Sequence, residues 1–308
     1  MKLLVTGSSG QIGTNVALAL LARGDTVIGV DKRPNTWTRK IPTTILDLTG
    51  IAPQQLPPPE GVDLVLHLAA NAKVFELVEH PQRAMDNISM LFTVLEYCRQ
   101  NRLPIIFASS REVYGDIHRH VTDESAADFV VAESPYSASK IAGEALIYSY
   151  AECYQLPFLV FRFSNVYGRY DNDLDRMERV IPLFVDRIAR GVPIVVYGKE
   201  KVLDFTYVDD CVAGVLAGID ALAQRRVTGQ TVNLAYGHGN SLLDVVNIVS
   251  LALRKTPQVT FEPSRPGEVT RYVADITKAR EMLGYKPQVP LSSGLMRAVE
   301  WSQTADER

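Results

Sequence analysis

Residues 2–13 read K-L-L-V-T-G-S-S-G-Q-I-G, and this stretch indicates how the first half of the chain folds. An apolar run at residues 2–6 predicts a β-strand, and helical periodicity over residues 13–23 predicts the helix that follows it. A second β-type run, at residues 26–30, ends next to Asp31. Between the first strand and the helix stand three glycines, Gly7, Gly10 and Gly13. Such a loop lets backbone N–H groups approach a pyrophosphate and directs a helix N-terminus toward it.

Glycine-rich turns between a strand and a helix also occur without a ligand, so the context of this turn matters. Asp31 stands at the end of the next predicted strand, where its carboxylate can accept hydrogen bonds from a ribose and would repel a 2′-phosphate. Lys32 and Arg33 follow and could attract that phosphate, but they begin a loop, whereas the strand fixes the place of Asp31. We therefore predict a dinucleotide site that prefers NAD.

Apolar runs alternate with helical patterns as far as residue 168. Further β-type runs lie at residues 64–68, 105–108 and 158–163, with helical patterns at 83–100 and 135–154. Runs that do not alternate apolar and polar residues predict a parallel sheet covered on both faces, so we predict a doubly wound α/β Rossmann fold. Beyond residue 168 a polar run at 169–179 precedes a helix at 180–190, which predicts a smaller α/β lobe.

The composition gives no reason to expect nucleic acid or membranes as partners. The net charge is −3, and no stretch approaches the roughly 18 apolar residues of a membrane span. The first apolar run is too short for a signal peptide, so we expect a cytoplasmic protein. Cys98, Cys153 and Cys211 lack metal-ligand spacing, and their apolar helical surroundings predict reduced, buried thiols and no metal site.

A second stretch, S-P-Y-S-A-S-K-I-A-G-E at residues 134–144, carries chemically active side chains. Pro135 suits the first turn of a helix, and a spacing of four places Tyr136 and Lys140 on the same helix face. The small residues between and after them would let a ligand approach closely. The same pattern also fits an amphipathic helix whose Tyr and Lys are half-exposed, so the motif alone leaves both interpretations open.

The chain resembles the extended short-chain dehydrogenase/reductase family, specifically its NAD-dependent nucleotide-sugar epimerases and dehydratases. The resemblance covers nearly the whole chain and rests on motifs in one order. These are T-G-S-S-G-Q-I-G at 6–13, D-L at 47–48, H-L-A-A at 67–70, D-N at 86–87, A-S-S-R-E-V-Y-G at 108–115, Y-S-A-S-K at 136–140, R-F-S-N-V-Y-G at 162–168, D-F-T-Y-V-D-D at 204–210 and R-P-G-E at 265–268.

The resemblance implies a role for each matching residue. Tyr136 would be the acid/base, Lys140 would bind the nicotinamide ribose and lower the pKa of Tyr136, and Ser110 would hydrogen-bond the reacting hydroxyl. A phenol with a pKa of ~10 is a poor base near neutral pH, so it needs such help. The positions that would bind NAD are Gly7, Gly10, Gln11, Ile12, Gly13, Asp31, Asp47, Leu48, Leu68, Ala69, Ala70, Asn87, Tyr136 and Lys140.

Position 111 bears on the type of reaction. The resembled 4,6-dehydratases carry an Asp-Glu pair in this loop, and their Asp protonates the leaving hydroxyl, whereas this chain has Arg111 and Glu112. A guanidinium is too weak an acid for that step at neutral pH. We therefore expect 4-epimerisation of a nucleotide sugar, most simply a UDP-hexose, through a transient 4-keto sugar.

Two alternatives remain open at this point. Glu112 also resembles the acid of UDP-glucuronate decarboxylases, so 4-epimerisation or decarboxylation of UDP-glucuronic acid is the nearest rival; an ordinary salt bridge would equally explain Glu112. The second alternative is a protein of a different functional class, a regulator that binds NAD without catalysis. Such a regulator would not need Ser110, Tyr136 and Lys140 together.

The resemblance also implies a set of substrate-binding residues. These are Arg111, Glu112, Asn165, Arg179, Arg265 and Tyr272. Relatives commonly have Arg where this chain has Leu203, so we expect Arg179 to supply the missing phosphate contact. A surface Arg at a helix start is the plain alternative for Arg179. Tyr272 would border the sugar pocket and leave little room for an N-acetyl group, unless it only packs within a strand.

The resemblance predicts the division into lobes and the assembly. Residues 1–168 and 204–236 would form the NAD-binding domain, and residues 169–203 and 237–308 the nucleotide-sugar lobe. We expect a homodimer through helices near 83–100 and 136–154. The apolar residues expected at that interface are Met90, Leu91, Val94, Leu95, Ile141, Leu146 and Ile147.

Overall fold

Seven parallel β-strands form the large sheet of this protein. The structure is a computed structural model that describes residues 1–114, 132–171 and 179–305. Its strands are β1 (Lys2–Thr6), β2 (Thr26–Asp31), β3 (Thr43–Ile45), β4 (Leu64–His67), β5 (Ile105–Ser110), β6 (Phe158–Phe163), β7 (Asn165–Tyr167), β8 (Ile194–Tyr197), β9 (Val202–Tyr207), β10 (Gln230–Leu234), β11 (Gly239–Ser241), β12 (Val259–Glu262) and β13 (Arg271–Tyr272). Its helices are α1 (Gln11–Ala22), α2 (Val74–Glu79), α3 (Gln82–Asn101), α4 (Pro135–Tyr154), α5 (Val180–Arg190), α6 (Val208–Ala223), α7 (Leu242–Leu253), α8 (Thr277–Leu283) and α9 (Leu291–Ala305). Most of the polar run at 169–179 lies outside the described residues.

The strand order of the large sheet reverses next to β1. The order is β10-β6-β5-β4-β1-β2-β3. The chain runs from β1 outward through β2 and β3, then crosses back and runs from β4 outward in the other direction. The switch point therefore lies between β1 and β4, where Thr6 pairs with His67. In open α/β sheets ligands bind beside such a point, at the carboxyl ends of the strands.

Alternate residues of the strands enter two separate cores, one on each face of the sheet. Leu3 and Val5 belong to the core that α1 and α6 cover, and Leu4 belongs to the core that α3 and α4 cover. Burial on both faces explains why the strand sequences are apolar without alternation. The prediction of a doubly wound parallel sheet is confirmed.

A smaller sheet begins directly after the large one. β7 starts two residues after β6 ends, and it pairs in parallel with β9, with Asn165 opposite Phe205. β9 also pairs in parallel with β13 and antiparallel with β11, while β8 and β12 form a separate parallel pair. Segment 204–236 contributes to both sheets, because β9 lies in the smaller sheet and β10 completes the larger one.

The expectation of three buried cysteines is wrong at one position. Cys98 and Cys211 are buried, but Cys153 is exposed. Its neighbours in the last turn of α4, Glu152 and Tyr154, are exposed as well. Among the described residues, no group of three or more His, Cys, Asp or Glu side chains could hold a metal ion. No helix in the same part of the chain has the length and apolarity needed to cross a bilayer.

Most of the apolar residues expected at a dimer interface pack inside the chain. Met90, Leu91, Val94, Leu95 and Ile147 are at most 5% exposed. α3 and α4 pack against each other and press these side chains into the core on their face of the sheet. The solvent-facing apolar side chains of the two helices include Met85, Phe92 and Tyr148, which are 56%, 51% and 46% exposed. Any dimer surface on these helices would use this second set.

Candidate functional site

The glycine-rich loop between β1 and α1 packs directly against the segment that follows β4. Gly7 has a φ of +74°, and a Cβ on it would lie 2.7 Å from the backbone nitrogen of Ala69. A Cβ on Gly13 would lie 2.0 Å from the carbonyl oxygen of Gly7. Both positions therefore require glycine. Gly10 caps α1 without a side-chain hydrogen bond, so the helix N-terminus opens toward the switch point.

Asp31 ties the end of β2 to this loop. Its carboxylate accepts hydrogen bonds from the backbone N–H groups of Ser9 (3.0 Å) and Arg33 (3.1 Å), and the residue is 8% exposed. Asn35 donates from Nδ2 to the carbonyl oxygen of Ser8 at 3.2 Å, which fixes the next part of the segment. Arg33 Nε is buried and has no hydrogen-bond partner among the described residues. The carboxylate therefore lies where the sequence predicts it.

Asn87 on α3 fixes the backbone beyond β4. Its side-chain oxygen accepts the N–H of Asn71 at 2.7 Å, and its Nδ2 donates to the carbonyl oxygen of Asn71 at 3.1 Å and to Ser139 Oγ at 3.2 Å. These bonds hold the segment that contains Leu68, Ala69 and Ala70 against α4. On the same face of the sheet as α3, Asp47 accepts the N–H of Thr49 at 2.9 Å, and Leu48 is 3% exposed.

Ser110, Tyr136 and Lys140 come together at the carboxyl end of β5. Ser134 caps α4 by accepting the N–H of Ser137 at 3.1 Å, so Tyr136 lies in the first helical turn. Tyr136 is 7% exposed and Lys140 is 4% exposed, which excludes the half-exposed surface interpretation. Lys140 Nζ donates to the carbonyl oxygen of Ala108 at 2.7 Å and lies 5.7 Å from the centroid of the Tyr136 ring.

Burial has the largest effect on the pKa values of Tyr136 and Lys140. Burial raises the pKa of Tyr136 to about 12, while a hydrogen bond with Ser110 and the charges of Arg179 and Arg111 lower it. Burial also lowers the pKa of Lys140 to about 8, against the opposing charge of Glu144. A phenol with so high a pKa needs positive charge nearby before it can act as a base near neutral pH.

A buried ion pair fixes α4 on the sheet. Arg162 on β6 donates from Nε and Nη2 to the two carboxylate oxygens of Glu144 at 3.0 and 2.7 Å. Ser109 donates from Oγ to Glu144 Oε1 at 2.5 Å. Ser109 therefore has a structural role, whereas the next residue along β5, Ser110, hydrogen-bonds Tyr136. Glu144 lies one helical turn after Lys140, so the same pair also sets the position of the lysine.

Four of the predicted substrate residues form one cluster beyond Ser110, in which Glu112 and Tyr272 are buried. Arg111 Nη2 contacts Glu112 Oε1 at 3.0 Å and donates to Asn165 Oδ1 at 3.1 Å. The Arg111 guanidinium lies 5.7 Å from the centroid of the Tyr272 ring. Tyr272 is 0% exposed and its ring stacks on Tyr114, so it packs as an interior residue of β13.

Three atoms of this cluster are buried and have no hydrogen-bond partner among the described residues. They are Arg111 Nη1, Glu112 Oε2 and the Tyr272 hydroxyl. Burial raises the pKa of Glu112, against the charge of Arg111. Buried polar atoms in proteins are rarely left unpaired. The cluster therefore offers donors and an acceptor to a polar ligand placed beside Ser110 and Tyr136.

Arg179 and Arg265 contact different parts of the cleft. Arg179 donates to Gln11 Oε1 in the first turn of α1 and to Asp171 Oδ1 at 2.9 Å. Its guanidinium is thus at the glycine-rich loop. The Arg265 guanidinium lies 4.1 Å from the centroid of the Tyr197 ring and 5.3 Å from that of Phe75.

Sequence reasoning missed an ion pair at this end of the site. Lys201 Nζ contacts Glu268 Oε2 at 2.6 Å, and Lys201 is only 6% exposed. The charges of both residues act on Glu112, which places the pair beside the Arg111–Glu112 cluster. The available signal was the spacing of two between Lys201 and Leu203, which puts both side chains on one face of an extended segment.

Comparison with known proteins identifies the family. The sequence model of the NAD dependent epimerase/dehydratase family matches residues 3–235. The chain belongs to this family. An uncharacterized UDP-glucose epimerase of Bacillus subtilis is 30% identical, over 98% of this chain and 98% of its own length.

Two solved structures of the family superpose on nearly the whole chain. The UDP-glucose 4-epimerase of Thermotoga maritima, solved with UDP-glucose, has a TM-score of 0.90 at 27% identity and covers 99% of both chains. The UDP-glucuronic acid 4-epimerase of Bacillus cereus, solved with UDP-glucuronic acid and NAD, has a TM-score of 0.89 at 27% identity. It covers 99% of this chain and 100% of its own.

The residues at the switch point of this epimerase/dehydratase family member fit NAD. Close backbone packing at Gly7 and Gly13 fixes the tight turn at the N-terminus of α1, and a pyrophosphate could bind the N–H groups of such a turn. Asp31 stands at the end of β2, where a ribose would need an acceptor. The buried trio lies at the carboxyl end of β5, on the same edge of the sheet.

Proposed function

We propose that this protein catalyses the NAD-dependent 4-epimerisation of a UDP-hexose. The observation that carries the proposal is the buried set of Ser110, Tyr136 and Lys140 at the switch point, with Arg111 next to it instead of an acid. The related UDP-glucose and UDP-glucuronic acid 4-epimerases support the same class of substrate. We further propose that residues 1–168 with 204–236 hold the cofactor, and that residues 169–203 with 237–308 hold the nucleotide sugar.

The proposed chemistry divides among three residues of this chain. Tyr136 accepts the proton of the sugar 4-hydroxyl and later returns it. Ser110 orients that hydroxyl and hydrogen-bonds the phenol. Lys140 contributes positive charge that favours the phenolate and binds the cofactor ribose. NAD, when bound, supplies the hydride acceptor and donor at carbon 4.

Arg111 disfavours elimination of water from the sugar. Dehydration requires an acid that protonates the leaving hydroxyl, and a guanidinium with a pKa above about 12 does not supply one at neutral pH. Glu112 is also poorly placed for this task, because one of its oxygens is held by Arg111 at 3.0 Å. A keto sugar that is formed here would therefore be reduced again, on either face, without elimination.

UDP-glucuronic acid is the second candidate substrate. Its support is Arg111 Nη1, a buried cationic donor without a partner among the described residues, which could face a carboxylate at carbon 6. Either 4-epimerisation or decarboxylation would then be possible. The buried and complete trio supports an enzyme over a regulator that only binds NAD.

One experiment separates these activities. Purified protein with NAD is incubated with UDP-, dTDP-, GDP- and CDP-sugars, and the products are followed by mass spectrometry and NMR. Epimerisation leaves the mass unchanged and inverts the configuration at carbon 4, which changes the coupling constants of the H-4 signal, whereas dehydration and decarboxylation lower the mass. Interconversion of UDP-glucose and UDP-galactose is the expected result; no turnover of any nucleotide sugar, together with tight NAD binding, would point to the regulator.

We also propose a cytoplasmic homodimer whose interface is the outer face of α3 and α4. Met85 and Phe92 are seven residues apart on α3, so they lie on one face of that helix, and both are more than half exposed. Tyr148 adds an exposed ring on α4. Together with the neighbouring polar side chains, they give this face the mixed character of a subunit interface.

A further inference from the structure

The ammonium of Lys201 is buried in a turn that is shaped to admit it. The backbone N–H of Lys201 donates to the carbonyl oxygen of Gly198 at 3.0 Å, closing the turn that precedes β9. Gly198 has a φ of +78°, and a Cβ on it would lie 2.9 Å from Lys201 Cε. Glycine thus lets the backbone turn and leaves room for the lysine stem, which runs inward.

This ammonium and the Arg265–Glu268 turn form one charged group. Lys201 Nζ contacts Glu268 Oε2 at 2.6 Å, and the same oxygen accepts the backbone N–H of Arg265 at 3.2 Å. The hydrogen bonds among the described residues use one of the three N–H donors of the ammonium. The same turn also carries the guanidinium of Arg265, which lies over the Tyr197 ring, so it brings a second positive charge to this part of the chain.

We propose that Lys201 binds the diphosphate of the nucleotide sugar; the inference rests on the proposed function. A diphosphate brings at least two negative charges, and Lys201 and Arg265 are two cations tied to one turn near the Arg111–Glu112 cluster. Lysine binds phosphate as a compact point charge, so its ammonium can reach a phosphate oxygen while Glu268 keeps its place beside it.

The neighbours of Lys201 support this choice. Leu203 lies two residues further on, on the same face of the strand, and brings no charge. Arg179, the cation that the sequence suggests for this task, instead contacts Asp171 and Gln11 at the glycine-rich loop. Its charge also lowers the pKa of Tyr136, so its place is near the cofactor and the phenol.

The test measures nucleotide binding rather than turnover. Titration calorimetry gives the affinity of UDP, and NMR titration gives that of uridine, for the wild type and for Lys201→Met, Lys201→Arg, Arg179→Gln and Lys199→Met. Lys199 is the matched control, because it belongs to the same turn and its Nζ lies 5.5 Å from the centroid of the exposed Phe261 ring. The melting temperature of each variant shows that it is folded.

We expect Lys201→Met to bind UDP roughly 10- to 100-fold more weakly, with uridine affinity unchanged, because only UDP carries the phosphates. Lys201→Arg should retain most of the affinity for UDP, and Lys199→Met and Arg179→Gln should match the wild type. Equal UDP affinity in Lys201→Met and the wild type would overturn the proposal. It would also be overturned if Arg179→Gln alone showed the loss of UDP affinity.

The same data separate this inference from the proposed function. A wild type that binds UDP and loses affinity in Lys201→Met, yet epimerises no sugar, would contradict the function and support the role of Lys201. A wild type that epimerises UDP-glucose while Lys201→Met binds UDP normally would support the function and contradict the role of Lys201. A wild type that binds no nucleoside diphosphate would contradict both.

Discussion

The Lys140 ammonium lies 5.7 Å from the centroid of the Tyr136 ring, and it donates a hydrogen bond to the carbonyl oxygen of Ala108 at 2.7 Å. The helical spacing of four brings the two side chains to one face, and the carbonyl at the end of β5 fixes the ammonium there. Both groups are almost fully buried, and burial raises the pKa of Tyr136 and lowers the pKa of Lys140.

Tyr136→Phe should lower turnover by about 100- to 10,000-fold and leave NAD bound, because the hydroxyl is needed for proton transfer and not for packing. Turnover is followed by the conversion of UDP-glucose, and NAD is quantified in the purified protein. Tyr154→Phe, at the exposed end of the same helix, is the control and should behave as the wild type. A Tyr136→Phe enzyme that retained near wild-type turnover would remove the proposed mechanism.

The affinity for NAD should fall as the pH rises through about 8, because the pKa of Lys140 is lowered to about 8 and its neutral form loses the charge that holds the ribose. The charged and titratable groups linked to Lys140 are Glu144, Tyr136 and His67. NAD affinity is measured by calorimetry between pH 6 and 10. Lys140→Met should bind weakly at every pH; an equally steep decline in that variant would show that another group titrates.

The same shift affects folding. Between pH 8 and the ordinary lysine value of 10.5, the unfolded chain keeps a proton on Lys140 that the folded chain has released. Stability rises with pH wherever the unfolded state binds more protons, so this group alone makes the free energy of unfolding increase across that window. Urea unfolding of the wild type and Lys140→Met over this range isolates the contribution. A gain in the stability of the wild type relative to Lys140→Met as the pH rises would support it, and a constant difference would contradict it.

Arg162→Met should destabilise the fold by about 3–5 kcal/mol, because it leaves the buried Glu144 carboxylate without its bidentate partner. The two side chains are 7% and 10% exposed. Arg190→Met is the control, since Arg190 pairs with Asp186 but is 69% exposed, and this change should cost less than about 1 kcal/mol. Urea unfolding compares the two variants, and similar losses would show that the Arg162–Glu144 pair does not anchor α4.

Tyr272→Cys should raise kcat/KM for UDP-N-acetylglucosamine relative to UDP-glucose. The Tyr272 ring is wholly buried between Tyr114 and Arg111, and its removal would open space for an N-acetyl group. Relieving an overfilled pocket is worth roughly 1–3 kcal/mol, or about 5- to 150-fold in relative specificity. If the wild type already prefers the acetylated sugar, Tyr272 does not limit access and the hexose assignment weakens.

Phe92→Asp should convert the expected dimer to a monomer, because a carboxylate would then be buried at the outer face of α3 without a partner. Light scattering at micromolar concentration measures the mass of the wild type and the variant. Leu251→Asp, at a position 79% exposed on α7, is the control and should keep the mass of the wild type. A monomeric wild type would contradict the proposed assembly.

The sequence alone determined the large sheet and the reacting pair. Apolar runs without alternation can be accommodated only by strands covered on both faces, and Gly7 and Gly13 occupy positions where a Cβ would collide with backbone. Tyr136 and Lys140 are four residues apart in one helix, so their proximity is a local property of the chain. The same holds for Asp31, which is placed by the strand that precedes it.

Only the tertiary structure decided the contacts between distant segments. The pairing of Lys201 with Glu268 spans 67 residues, and the bond between Asn87 and Asn71 joins α3 to the segment after β4. The burial of Met90 and Ile147, and the exposure of Cys153, depend on which face of a helix meets the sheet. Periodicity shows that a helix has an apolar face, but the packing of its neighbours determines how much of that face they cover. Side-chain partners across the fold follow from that packing, and so they appear only once the lobes are assembled.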